Sequence, residues 1–192
     1  MCEADVGELI VGAYLKKVVD CEIVTYHQTS LEKGEQKEID VLGINTSDDG
    51  KEVFLCEVVT HLDGMRYKGK PSTDRWNNFG SDNYQHTLEI IWKKFMYDYE
   101  YGKEVWGDVD KSLWREYSYI LQLWSPKVPE GLLTEGLDKL KREFEDEYGV
   151  EIELVINEKY KDRIEELRTQ AYDDKTGQGV AGYRFFQITE NI

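Results

Sequence analysis

Residues 53–60 (VFLCEVVT) are apolar almost throughout and carry a single carboxylate, Glu57. A run of this length and composition reads as a strand buried on both faces, in the middle of a sheet. Just before it, residues 37–45 (KEIDVLGIN) read as a second strand, with Asp40 set among Ile39, Val41 and Leu42. SDDG at 47–50 joins the two as a hairpin turn, because Asp-Gly readily adopts the positive φ that such turns require. An isolated carboxylate inside an apolar strand is costly unless it is paired, hydrogen-bonded or bound to a cation. Two of them on adjoining strands are the strongest constraint in the chain.

The other segments supply the frame. Residues 3–19 place Val6, Leu9, Ile10, Ala13, Tyr14 and Val18 at helical spacing, and Glu8 lies beside that stripe. Residues 21–28 (CEIVTYHQ) read as a strand, 84–101 as an amphipathic helix and 117–124 (YSYILQLW) as a strand. Residues 130–148 predict a charged surface helix stopped by Gly149, followed by a strand at 150–156 and a helix at 159–172. Residues 183–188 (YRFFQI) read as a terminal strand. The order is αβββαβ followed by αβαβ. It predicts an α/β protein with a mixed central sheet flanked by helices, a single domain over 1–192 with its core in 3–124 and an elaboration in 126–192.

Composition narrows the function classes. A chain of 192 residues with 40% apolar, 12% aromatic and 33% charged residues lies in the globular range. No apolar run approaches the ~20 residues of a membrane span, and no basic-then-apolar leader opens the sequence, so no membrane partner and a cytoplasmic location are expected. Cys2, Cys21 and Cys56 have no CxxC spacing, which argues against a disulfide framework or a structural zinc site. The net charge of −15 argues against coating nucleic acid by sheer charge, though not against engaging DNA through a local patch.

Such a patch is present. Between His61 and Gly80 the sequence carries Arg66, Lys68, Lys70 and Arg75 against Asp63 and Asp74, interleaved with Tyr67, Trp76 and Phe79. Bases of this kind meet phosphates, and aromatics stack on unpaired bases or wedge a duplex. The plain alternative is a solvated loop whose aromatics pack back on the domain. Asp40 and Glu57 offer hard oxygen ligands suited to Mg²⁺ (or Mn²⁺), with Glu8 approaching from the first helix as a third acid. Here the plain alternative is that each acid is satisfied by an arginine or by backbone amides.

The helix with Glu8, then Ile39-Asp40-Val41-Leu42, a turn and Phe54-Leu55-Cys56-Glu57-Val58, resembles the PD-(D/E)XK nuclease superfamily over about two thirds of the chain. The resemblance implies a restriction-endonuclease-like fold and metal-dependent hydrolysis of DNA phosphodiester bonds, often by a homodimer. It makes Asp40 and Glu57 metal ligands with the Val58 carbonyl, Glu8 the helical acid, and Gln85 the glutamine that opens the helix after the third strand. The family's lysine, two residues after the second acid, falls at Val59. Its substitutes are Lys93 on the following helix, His61, and Lys68 or Lys70. Each has a bland reading: Lys93 follows Glu89 by four residues as in a surface ion pair, and His61 caps a strand end. Two other functions are consistent with these residues. One is a catalytically inactive nuclease-fold protein acting as a binding or regulatory module; the other is an acidic mimic of DNA.

Overall fold

The computed structural model describes residues 4–32, 35–47, 50–59, 64–65, 88–106, 117–174 and 180–190. The elements are α1 (Val6–Lys17), β1 (Ile23–Glu32), β2 (Glu35–Ser47), β3 (Gly50–Val58), α2 (Leu88–Trp106), β4 (Tyr117–Ser125), α3 (Leu132–Tyr148), β5 (Glu151–Ile156), α4 (Asn157–Asp173) and α5 (Ala181–Glu190). The strands form one five-stranded open sheet in the order β1-β2-β3-β4-β5. β1, β2 and β3 pair antiparallel, as short turns permit. β3, β4 and β5 pair parallel, which requires the crossovers that α2 and α3 supply. No helix among the described residues is long and apolar enough to cross a membrane.

β3 is the middle strand, and its side chains serve two cores. Val53 and Leu55 join Leu121, Leu123, Phe95 and Phe144 beneath α2 and α3. Phe54 and Cys56 join Tyr14, Leu15, Trp124 and Tyr183 beneath α1, α4 and α5. Burial on both faces is what made residues 53–60 apolar. On the α1 side a connected set of polar groups surrounds Gln122. The Gln122 Oε1 accepts from Trp124 Nε1 at 2.9 Å and from Cys56 Sγ at 3.2 Å, while its amide nitrogen donates to Glu153 at 2.5 Å. Glu153 also takes Lys159 at 2.7 Å and Arg163 at 3.2 Å.

The C-terminal extension departs from expectation. It runs α3-β5-α4-α5, so residues 183–188 belong to a helix, not a strand. Tyr183, Phe186 and Gln187 are buried at helical spacing, whereas Phe185, which alternation would bury with Tyr183, is 59% exposed. The aromatic and β-branched residues of YRFFQI carry strand propensity, but packing against α1 and α4 overrides it. Gly182 permits that packing: a Cβ there would stand 2.3 Å from the Leu9 carbonyl oxygen of α1. Gly182→Ala is therefore expected to push α5 off α1 and destabilise the fold by about 1–3 kcal/mol. Urea unfolding should show a lower midpoint at an unchanged slope, and an unchanged midpoint would refute the close approach.

Candidate functional site

The β2–β3 register runs from Ser47↔Gly50 to Val41↔Cys56. One step further, Asp40 and Glu57 stand opposite each other where the ladder ends. In place of a ladder bond, Asp40 Oδ2 accepts the Val58 N–H at 2.7 Å. Glu57, next to last in β3, is only 2% exposed. Burial raises its carboxyl first and the neighbouring Asp40 charge second, to a pKa of about 8. Among the described residues neither acid is neutralised by an arginine. The two sense each other and share a lysine.

That lysine is Lys94, on α2. Its Nζ donates to Glu57 Oε2, and its side chain remains 42% exposed, so the pair opens to solvent on the lysine side. Burial pulls the ammonium down, but Glu57 and Asp40 outweigh it and hold Lys94 charged. Asp40 is raised by burial, with Lys94 and the Val58 N–H opposing. One helical turn beyond Lys94, Asp98 is 3% exposed. Its carboxyl faces that of Glu57, and Asp98 Oδ2 and Glu57 Oε1 are both buried without a hydrogen-bond donor among the described residues. Two ionised carboxylates cannot satisfy each other, whereas one proton held between them satisfies both. Burial and the Glu57 charge accordingly push Asp98 well up.

Glu8 is engaged elsewhere. Asp5 and Glu8 form a capping box at the start of α1: Asp5 accepts the Glu8 N–H at 2.9 Å, and Glu8 Oε2 accepts the Asp5 N–H at 2.7 Å. The same Oε2 lies 3.0 Å from His27 Nε2, an ion-pair contact without hydrogen-bond alignment. His27 Nδ1 meets Glu38 Oε1 at 2.5 Å. Burial pulls the His27 imidazolium down, but Glu38 and Glu8 outweigh it and its pKa is raised. Burial raises Glu8 as well. Glu8 reaches Asp40 only through charge, with His27 as its contact.

Of the residues singled out from sequence, Asp40, Glu57 and Val58 come together. Lys93 does not join them: it is 54% exposed and pairs with Glu89 at 2.7 Å. Val59 is packed in the core beneath α2 with Val53 and Leu55. His61, Arg66, Lys68, Lys70, Arg75 and Gln85 lie outside the described residues. Lys94, Asp98 and His27 were missed. Asp98 carried a signal: it falls three residues after Phe95 and seven after Ile91, on the buried stripe of α2. A carboxylate at a core position of a helix marks a site as Glu57 does in its strand.

Among the described residues no group of three or more His, Cys, Asp or Glu side chains is arranged to hold a metal ion. Two carboxylates are nonetheless a normal complement for Mg²⁺, which keeps most of its waters. The buried, donor-less Glu57 Oε1 is an atom that a cation or a proton would satisfy, so the residues fit such an ion.

The pH dependence of stability follows with a definite sign. The Glu57 pKa in the folded chain, about 8, stands above the ordinary carboxyl value of 4.5. Its contribution to stability is therefore fully present below the lower value and is lost as pH rises through the higher. With chelator present, unfolding free energy should fall between pH 5 and about pH 8, and Glu57→Gln should flatten that slope. An identical slope in the variant would refute the burial of an ionisable Glu57.

No family model, curated protein or solved structure matches the chain. The functional reading rests on the geometry of these side chains.

Proposed function

We propose that the chain is a divalent-metal-dependent nuclease, hydrolysing DNA phosphodiester bonds on a restriction-endonuclease-like core. The observation that carries this reading is the ammonium of Lys94 on Glu57, beside Asp40. The lysine missing at Val59 is supplied from α2, so two acids and one cation meet at the carboxyl end of the central strand. Ligands in open α/β sheets gather at such strand ends. The order α1-β1-β2-β3-α2-β4 supports the same core.

In this reading Asp40, Glu57 and the Val58 carbonyl would hold Mg²⁺ or Mn²⁺. The ion supplies a Lewis acid that activates water and offsets charge on the phosphoryl oxygens. The side chains do the rest. Asp40 is oriented by the Val58 N–H. Lys94 sets a fixed positive charge where the phosphate would otherwise meet carboxylates alone. Asp98, raised by burial and by the Glu57 charge, holds a proton beside Glu57 when no cation is bound. DNA as the substrate rests on the resemblance and on the basic, aromatic composition of residues 61–80.

One observation favours a second reading, a catalytically silent binding module. Glu57 is already engaged by Lys94 and faces Asp98, as an ion pair kept only for stability would be. Titration calorimetry and DNA cleavage separate the two. The nuclease should bind Mn²⁺ and lose that binding in Asp40→Asn and Glu57→Gln. On duplex, single-stranded or branched DNA, Lys94→Ala should lower kcat by about 10²-fold or more, with Lys93→Ala within about twofold of wild type. Metal binding without cleavage of any substrate, or no metal binding at all, would end the nuclease reading and leave the silent module.

A further inference from the structure

Among the described residues, left-handed φ outside glycine occurs at Asp20 (64°), His27 (51°) and Asn157 (52°). Asp20 lies between α1 and β1 and Asn157 at the junction of β5 with α4, and both are residue types that tolerate this region. His27 differs in its place: it stands inside β1, where a left-handed residue is out of keeping with the strand.

The distortion has a location and a consequence. β1 pairs with β2 at Tyr26↔Val41 and Gln28↔Ile39, and the skipped step is His27 opposite Asp40. On the other side of β2, pairing with β3 also ends beside Asp40, at Val41↔Cys56. Ile39 and Leu42, three apart, both join the core beneath α2, so strict alternation breaks between them. Tyr26 points at α1, where its hydroxyl lies against Gly12. Alternation would send His27 the other way, yet its ring reaches Glu8 of the same helix. The left-handed turn thus brings two successive side chains to α1, and the ring is fastened there between Glu8 and Glu38.

We propose that His27 is a positioning residue for Asp40. Its backbone interrupts the sheet opposite that acid, and its ring, held by Glu8 and Glu38, keeps the break in place so that the Asp40 carboxylate takes the Val58 N–H. The effect on catalysis rests on the nuclease reading; the effect on Asp40 does not. Glu8 then contributes through His27, as the anchor of the ring.

The test uses His27→Val, whose β-branched side chain resists positive φ, and His27→Asn, which keeps the backbone but is too short to span both carboxylates. Hydrogen exchange by NMR reads the Val58 amide directly. It should exchange several-fold faster in His27→Asn and faster still in His27→Val, while Val53 and Leu55 keep their protection. Asp40→Asn sets the scale for a weakened bond. Should His27→Val fail to fold, by circular dichroism, His27→Asn carries the test. Unchanged Val58 exchange in the folded variants overturns the proposal. With DNA and saturating Mn²⁺, both variants should lose kcat about tenfold or more at an unchanged KM. Faster Val58 exchange with wild-type kcat would overturn the catalytic part. Faster exchange in a chain that takes up no Mn²⁺ would uphold the positioning of Asp40 and sink the nuclease reading.

Discussion

The ion pair between Glu57 and Lys94 is the contact on which the middle of this molecule turns. Glu57 sits in the strand that both helical layers cover, 2% exposed, with a second acid across the ladder and a third above it. Desolvating one carboxylate costs several kcal/mol even after relaxation, and neighbouring like charges add to that. Among the described residues Lys94 is the cation that reaches all three acids, and His27 also opposes the charge of Asp40. Lys94 is part exposed, so its Coulombic contribution is screened and does not cancel the burial penalty. What remains is a carboxyl pushed up to a pKa of about 8, with one oxygen that has no donor among the described residues.

The two faces of the sheet treat buried polarity differently. Beneath α1 and α4, Gln122, Glu153, Arg163, Tyr14 and Trp124 form a connected network in which every bond has a donor and an acceptor. Lys159, Arg163 and Gln122 outweigh the burial of Glu153 and hold it below the usual carboxyl value. Such a network specifies packing and asks for no ligand. Among the described residues, the buried polar atoms without a hydrogen-bond partner are Glu57 Oε1 and Asp98 Oδ2 beneath α2, with Thr25 Oγ1 and, facing Glu8 of α1, His27 Nε2. Native interiors leave few groups unsatisfied, and the exceptions concentrate where chemistry or an ion completes the set. The contrast within one protein is what makes the acidic cluster more than an accident of composition.

Much of this was legible before any coordinates, for identifiable reasons. Asp40 and Glu57 stand out because a carboxylate is foreign to an apolar strand, and the short turn made their strands neighbours. Gly149 ends α3 with φ 67°, as its position implied. Lys94 was hidden by Lys93, which has a ready partner four residues back in Glu89; one residue of helical phase separates a surface ion pair from a site. Nothing in TYHQT announces a left-handed histidine, because the cause lies in Glu8 and Glu38, which are distant in sequence. The last helix was misread because YRFFQI suits either period, and only the approach of α5 to the Leu9 backbone decides between them.

The position of the lysine changes what controls it. A lysine at 59 would share a strand, and therefore a rigid register, with Glu57. From α2, the charge arrives on a separate element whose placement depends on Leu88, Ile91 and Phe95 seating in the core and on Phe95 meeting Phe144 of α3 edge-on at 6.3 Å. Asp98, one turn along the same helix, moves with it, so the cation and the third acid approach or leave Glu57 together. A shift of α2 by a fraction of a turn would therefore remove compensation and repulsion at once. That coupling explains how a buried acid can be tolerated without being locked. The site charge is set by helix docking, and helix docking is set by apolar packing.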